Sequence, residues 1–179
     1  MTNEIELVDL VDRSGVIKKQ GVPRPEADGL PDLYLQIVVA IILNKNGDIL
    51  TEKRSDSLEV DPKCIDTVCG AISSGETPEQ AAKRESIEET GINPKNLKVV
   101  AKGVNKYGRF RILVVGESDE EPKQTDPTEV EWSKFIPMEE LQKKYASGEY
   151  KFVGDFWEDL DTALKYQVST SPLNVSKSV

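Results

Sequence analysis

Glutamates are concentrated in one stretch of the chain. From Gly70 to Ile92 (GAISSGETPEQAAKRESIEETGI) they stand at positions 76, 79, 85, 88 and 89. Glu85, Glu88 and Glu89 are spaced i, i+3 and i+4. At about 100° per residue they share about 100° of one helix face. Like charges at these spacings destabilise a helix by about 0.2–0.5 kcal/mol per pair, and these lie toward its C-terminal end, where the helix dipole already disfavours acids. A divalent cation would offset both effects, because Mg²⁺ takes oxygen ligands and prefers carboxylates and water. The plainer reading is a solvated acidic face. The helical wheel argues against it: Pro78, Ala81 and Ala82 share the side of the three glutamates, while Gln80, Lys83 and Arg84 lie on the other. Acids that share a face with small apolar residues point at the protein body, and alanines there leave room for a metal and a substrate. Ile87 projects away from this face and does not fit the pattern.

Composition narrows the chemistry. The chain of 179 residues has no histidine. That excludes Ser-His-Asp and Cys-His arrangements, His-liganded zinc and a histidine general base. The two cysteines, Cys64 and Cys69, are too few for a zinc site and are expected as half-buried thiols flanking a strand. The net charge of -9 comes without the basic stripe of a nucleic-acid binder, so no nucleic-acid partner is expected. An acidic protein acting on an anionic substrate needs a local basic patch or a bound cation, which again favours a metal. No apolar run approaches the roughly 18 residues of a membrane span, and the N-terminal residues lack the pattern of a signal peptide. A cytoplasmic protein without a membrane partner is expected.

The elements that must position the glutamates follow from local pattern. Thr77-Pro78-Glu79-Gln80 is a capping box with proline at the first helical position, and Gly91 is the stop, so a helix is expected between them. Residues 4 to 18 read as a hairpin turning at Asp12-Arg13-Ser14-Gly15, and 19 to 31 as a Pro/Gly loop. Leu33 to Leu43 is a long β-branched run, turned at Asn46-Gly47-Asp48 into a strand from Ile49 to Lys53. Asp66 to Ala71 is a short strand. Leu97 to Gly103 and Arg109 to Val115 are paired strands, and Val130 to Ile136 is a last one. Helices are expected over Met138 to Tyr145 and Phe156 to Tyr166. Interspersed strands and helices predict an α/β sandwich with a mixed sheet. The expected organisation is a single domain over 1–168 with an N-terminal hairpin extension (1–31), and a flexible tail over 169–179.

The segment from Gly70 to Ile92 resembles the Nudix box: Gly, five residues, Glu, seven residues, then Arg-Glu-aliphatic-any-Glu-Glu-any-Gly-aliphatic. Gly70, Glu76, Arg84, Glu85, Glu88, Glu89, Gly91 and Ile92 match without a gap. Ser86 departs, standing where the family has an aliphatic residue that packs under the helix; by that token Ser86→Leu is expected to be neutral or mildly stabilising.

The resemblance implies a loop-helix-loop on an α/β/α sandwich with a mixed sheet. It implies Mg²⁺ or Mn²⁺ as cofactor, held by Glu85, Glu88 and Glu89 with the Gly70 carbonyl assisting. Glu76 would be an accessory ligand or orienting group, and Arg84 would hold a glutamate by a charged hydrogen bond. The implied activity is hydrolysis of a diphosphate bond in a nucleoside diphosphate linked to another moiety, by in-line attack of metal-activated water. The implied partner is a small nucleotide or diphosphate substrate, and a homodimer stays open. For the substrate phosphates, Lys53, Arg54, Arg109 and Arg111 are the candidate cations, each with a solvated surface charge as its alternative. Glu129 is the chosen catalytic carboxylate outside the box, from a set that includes Asp126 and Glu131. Tyr107 or Trp132 would stack on a base, or serve as ordinary hairpin and core aromatics.

The opening VDLVDRSGVI and the stretch GAISSGETPEQAA are similar to the isopentenyl-diphosphate isomerase-like branch. Isomerases of that branch use histidine ligands and a Cys-Ser-His-Pro stretch; here Thr67-Val68-Cys69-Gly70 stands in its place. A hydrolase in an isomerase-like shell is the preferred reading. The alternatives are an isomerase-like enzyme or a non-catalytic nucleotide-binding module.

Overall fold

The computed structural model describes residues 5–123 and 126–170. In chain order its elements are strands β1 (Leu7–Val11), β2 (Ile17–Pro23), β3 (Tyr34–Leu43), β4 (Ile49–Arg54), β5 (Ile65–Asp66) and β6 (Val68–Ala71), helix α1 (Pro78–Thr90), strands β7 (Lys95–Val104), β8 (Phe110–Glu117) and β9 (Val130–Ile136), and helices α2 (Met138–Ala146) and α3 (Phe156–Thr170).

The spine is β3, whose sequence YLQIVVAIIL is aliphatic almost throughout. A strand covered on both faces reads as such a run. Val38, Ala40 and Ile42 pack on one side with Ala81, Ala82 and Ile92 of the α1 region. Val39, Ile41 and Leu43 pack on the other with Leu141 of α2 and Phe156 and Leu160 of α3. The strand period of two therefore builds both cores at once. Ile112 and Val114 of β8 repeat the pattern toward α1, and Leu113 and Val115 toward α3. The result is the expected α/β/α sandwich with a mixed sheet.

Pairing around β3 shapes the site. One edge runs parallel to β8, Val38 opposite Ile112, and β8 carries β7 antiparallel. The other edge runs antiparallel to β6, Val38 opposite Gly70, and its first residues pair with β1. A parallel neighbour requires a crossover, and α1 lies in the segment that makes it. β4 meets β3 at a single pair, Leu43 opposite Ile49, then departs to pair with β9 and β5. The departure leaves a wedge between β4 and β6.

α1 forms for local reasons. Thr77 Oγ1 accepts from the Gln80 backbone N–H at 3.2 Å, and Gln80 Oε1 accepts from the Thr77 N–H at 2.8 Å. Gly91 closes the helix in the left-handed region at φ 69°, which L side chains rarely adopt. Ala81 and Ala82, fully buried, let the helix approach the sheet closely.

Three expectations are corrected. The segment 19–31 is not all loop: β2 continues to Pro23, where a proline is tolerated as the final residue of an edge strand, and a short 3₁₀ turn follows at Arg24–Glu26. The strand from Asp66 to Ala71 is split at Thr67 into β5 and β6, which pair with different partners. Helix α3 continues through residues 169 and 170, assigned to the tail, while 171–179 lie outside the described residues. Ile87, which did not fit the pattern of the helix face, is 42% exposed.

Candidate active site

The face of α1 turned to the sheet carries Ala81, Ala82, Glu85, Ser86, Glu89 and Thr90, all buried. Glu85 lies against the main chain of β6 at Gly70. A Cβ built on Gly70 would sit 1.9 Å from Glu85 Oε1, so this glycine answers to close approach and not to backbone conformation. Burial pushes the Glu85 carboxyl above its ordinary pKa, opposed by hydrogen bonding to Arg84.

Arg84 leaves the helix one turn before Glu88, at the flank of the glutamate face, and its guanidinium reaches across to the box. Its Nε and Nη2 donate to the two oxygens of Glu76 at 3.1 and 2.9 Å. Nη1 donates to Glu85 at 2.7 Å and to Glu88 at 3.1 Å. Nη2 also reaches the Ala71 carbonyl at 2.9 Å. One planar fork thus ties the loop before α1 to the helix and to β6. Glu76 also accepts from the Ser73 N–H at 3.1 Å, so both its oxygens are engaged, which favours orienting over ligation. Glu88 remains at the rim, its side chain 57% exposed.

Glu89 points into the wedge. Its Oε2 accepts weakly from the Cys69 N–H at 3.4 Å. Across the wedge stands Glu52 of β4, only 2% exposed. Its side chain and that of Glu89 are near enough to act on each other's charge, and its Oε2 has no hydrogen-bond partner. Burial first, and then neighbouring carboxylates, pushes both Glu52 and Glu89 well above the ordinary range. Asp66, opposite Glu52 on β5, is buried and raised to about 7 by desolvation, although it accepts from the Thr67 N–H at 2.8 Å. Burial likewise raises the Cys69 thiol, and Cys64 and Cys69 are both free and half-buried.

Among the described residues no three acidic or thiol side chains are already gathered at metal-ligand distance: Glu88 is drawn onto Arg84 and Glu89 turns inward. The donor set still fits a hard divalent cation. It offers carboxylate oxygens only, in excess of the nearby guanidinium charge, and one buried oxygen is unpartnered. Glu52 and Asp66 were not among the sequence candidates. The available signal was the alternation in ILTEKR, which places Glu52 on the same face as buried Leu50.

The candidate cations are distributed more widely. Arg54 lies near the wedge, 3.6 Å from Asp66 and donating to the Val60 carbonyl. Lys53 takes the other face of β4 and pairs with Glu131 at 2.8 Å. Arg111 is paired with Asp159 of α3, with Glu158 at 3.6 Å. Arg109 pairs with Asp28 and lines a groove of about 590 Å³ with Ile5, Arg24, Leu35 and Ile37. Arg109 and Arg111 share the face of β8 that looks away from α1. Glu129 is exposed; its carbonyl accepts from the Ser55 N–H at 2.8 Å and its charge contributes to the rise at Glu52. Trp132 packs at 5.9 Å from Tyr150 within the aromatic cluster, and Tyr107 covers Gly154.

Comparison with known proteins places this geometry. The family model described as NUDIX domain matches residues 33–156. Over 68 residues the chain is 41% identical to the 8-oxo-dGTP diphosphatase of Escherichia coli (strain K12), covering 38% of this chain and 52% of that one. The match thus spans about half the length of that relative. The fold is similar to the crystal structure of DR0079 from Deinococcus radiodurans, with a TM-score of 0.69 at 24% identity, over 88% of this chain and 99% of that one. It is also similar to the NUDIX domain of Shewanella oneidensis NrtR, solved with ADP ribose, with a TM-score of 0.60 at 15% identity, over 78% and 94%. Among the described residues no helix is long and apolar enough to cross a membrane. The matched segment takes in the spine strand, the whole glutamate-bearing helix and the wedge beside it, and this chain belongs to the Nudix family.

Proposed function

We propose that this protein is a Mg²⁺- or Mn²⁺-dependent hydrolase that cleaves a diphosphate bond in a nucleoside diphosphate linked to another moiety. One observation carries the reading: Arg84 binds Glu76, Glu85 and Glu88 together, beside the Gly70 main chain. That arrangement brings the box residues to one locus and leaves Glu88 open to solvent.

Glu85, Glu88 and Glu89, with the Gly70 carbonyl, would hold the cation. When bound, it supplies Lewis-acid neutralisation of the diphosphate oxygens and activation of water. The protein does the rest. Arg84 fixes the carboxylates in orientation, so that little reorganisation is needed as substrate enters. Glu129, exposed and bonded through its carbonyl to the Ser55 N–H just after β4, is the residue assigned to accept a proton from the attacking water. Arg54 is the candidate cation nearest the cluster and is assigned to the substrate phosphates. The E. coli relative, a diphosphatase of a nucleotide, supports a nucleotide substrate. The isomerase alternative has no histidine set to draw on in this chain.

The test is a panel of nucleoside diphosphate derivatives, offered to the chelator-treated protein with and without Mg²⁺ or Mn²⁺. Metal-dependent release of phosphate or nucleotide is expected, with turnover lost by orders of magnitude in Glu88→Gln while the fold is kept. Equal rates without metal, or in Glu88→Gln, would overturn the proposal. Isotope exchange into an allylic diphosphate without phosphate release would mark an isomerase instead.

A further inference from the structure

We infer that Glu52, on β4 and outside the glutamate-rich box, is itself a ligand of the divalent cation, sharing it with Glu89. The inference rests on the cleft being a divalent-cation site, as proposed above, and adds a ligand from a different element of the fold.

Three observations carry it. First, Glu52 is 2% exposed and its Oε2 meets no hydrogen-bond donor. Leaving a buried acceptor without a partner costs about 1–3 kcal/mol. Packing gives no reason for the carboxylate: Leu50, two residues earlier on the same face, is an ordinary core residue, and an apolar side chain at 52 would avoid that loss.

Second, the orientation is fixed. β4 is paired on both edges at this residue, with Asp66 on one side and Ser133 on the other. The side chain is directed toward Glu89, with whose charge it interacts.

Third, the neighbouring guanidiniums are committed elsewhere. Arg54 donates to the Val60 carbonyl and faces Asp66. Arg84 is occupied by Glu76, Glu85, Glu88 and the Ala71 carbonyl. A pair of carboxylates from two elements, with an open lone pair and no protein cation between them, is chemistry that suits Mg²⁺ or Mn²⁺.

The experiment is a titration of the chelator-treated full chain with Mn²⁺ alone, followed by calorimetry and by water-proton relaxation, which counts waters on the bound ion. Glu52→Gln keeps size but loses the negative charge. It is expected to weaken Mn²⁺ binding by at least about tenfold, to raise the bound-water count by one, and to shrink the Mn²⁺-induced rise in Tm. The metal-free Tm should be unchanged or higher. Wild-type affinity in a folded Glu52→Gln would overturn the inference. So would weaker binding with an unchanged water count, which would make Glu52 a positioning residue for Glu89. Should Glu52→Gln fail to fold, Glu52→Asp withdraws the same charge by one methylene: weakened Mn²⁺ binding supports ligation and unchanged binding opposes it. Failure here is separable from failure of the hydrolase reading. A Glu52→Gln protein that binds Mn²⁺ and turns over normally removes only Glu52, whereas a wild-type chain that takes up no Mn²⁺ removes both.

Discussion

Glu85 occupies the space that a side chain at Gly70 would need: a Cβ there would lie 1.9 Å from Glu85 Oε1 and 2.0 Å from its carboxyl carbon. Gly70→Ala is therefore expected to drive Glu85 off its position, lowering turnover by at least tenfold and stability by about 1–3 kcal/mol. The double variant Gly70→Ala/Glu85→Ala should recover stability without recovering activity, because the clash is gone and the carboxylate with it. Denaturant unfolding and steady-state rates on the four proteins of this cycle measure both terms. Additive losses in the double variant would show that the two residues do not compete for space.

Arg84→Lys is not a conservative change here. A single ammonium cannot replace a fork that binds Glu76 through two nitrogens while holding Glu85, Glu88 and the Ala71 carbonyl. The side chain is 29% exposed, so solvent moderates the effect. The expected loss is about 1–2 kcal/mol in stability, with a larger proportional fall in kcat. A fall in kcat much smaller than the stability change would make Arg84 a structural clamp only.

Ser86 reverses an expectation drawn from its departure from the family pattern. It is fully buried, and its hydroxyl donates to the Ala82 carbonyl at 2.7 Å. A leucine would add volume where the surroundings are closed, so Ser86→Leu is expected to destabilise by about 1–3 kcal/mol. Ser86→Ala should lose less than about 1 kcal/mol, because the hydroxyl leaves together with its bond and exposes no new polar partner. Unchanged or raised Tm in Ser86→Leu would show room beneath the helix.

Asp66 gives a pH signature in the metal-free protein. Burial lifts its carboxyl to about 7 from an ordinary 3.8. An acid raised in this way holds its proton more tightly folded than unfolded. Its contribution to stability is fully present below about pH 4 and is lost as pH climbs through 7. Asp66→Asn, which keeps an acceptor for the Thr67 N–H, should gain on the wild type across that window by at most about 4 kcal/mol. Unfolding free energies at pH 4, 6 and 8 decide it: profiles that run parallel for the two proteins would mean that Asp66 ionises normally.

The legible parts of this fold were the local ones. The capping box at Thr77 and the stop at Gly91 fix α1 from four or five neighbouring residues, and the i, i+3, i+4 spacing puts Glu85 and Glu89 on its buried face. The long run of β3 announced a strand covered on both sides. What escaped depends on separation in sequence. Glu52 and Glu89 are brought together only because β4 parts from β3 and opens toward α1, and no spacing rule reports that. Which face of the sheet Arg111 takes follows from the register of β8 on β3, with Arg111 opposite Ile37. β2 was hidden by Gly21 and Pro23, residues that disfavour an interior strand and are tolerated at an edge. Arg84 was expected opposite the glutamates, but it stands i,i+4 from Glu88 and so leaves the helix on the same flank.

The solitary pair between Leu43 and Ile49 sets how this architecture can vary. Since β3 and β4 share no further ladder, β4, β5 and β9 are joined to the spine by the turn at 44–48 and by Thr67, which links β5 to β6. The girth of the crevice is thus set by two short links, one of them remote from the acidic side chains. Insertions or prolines in the turn at 44–48 would shift Glu52 and Asp66 relative to Glu89, so the crevice and its acidic lining would change together.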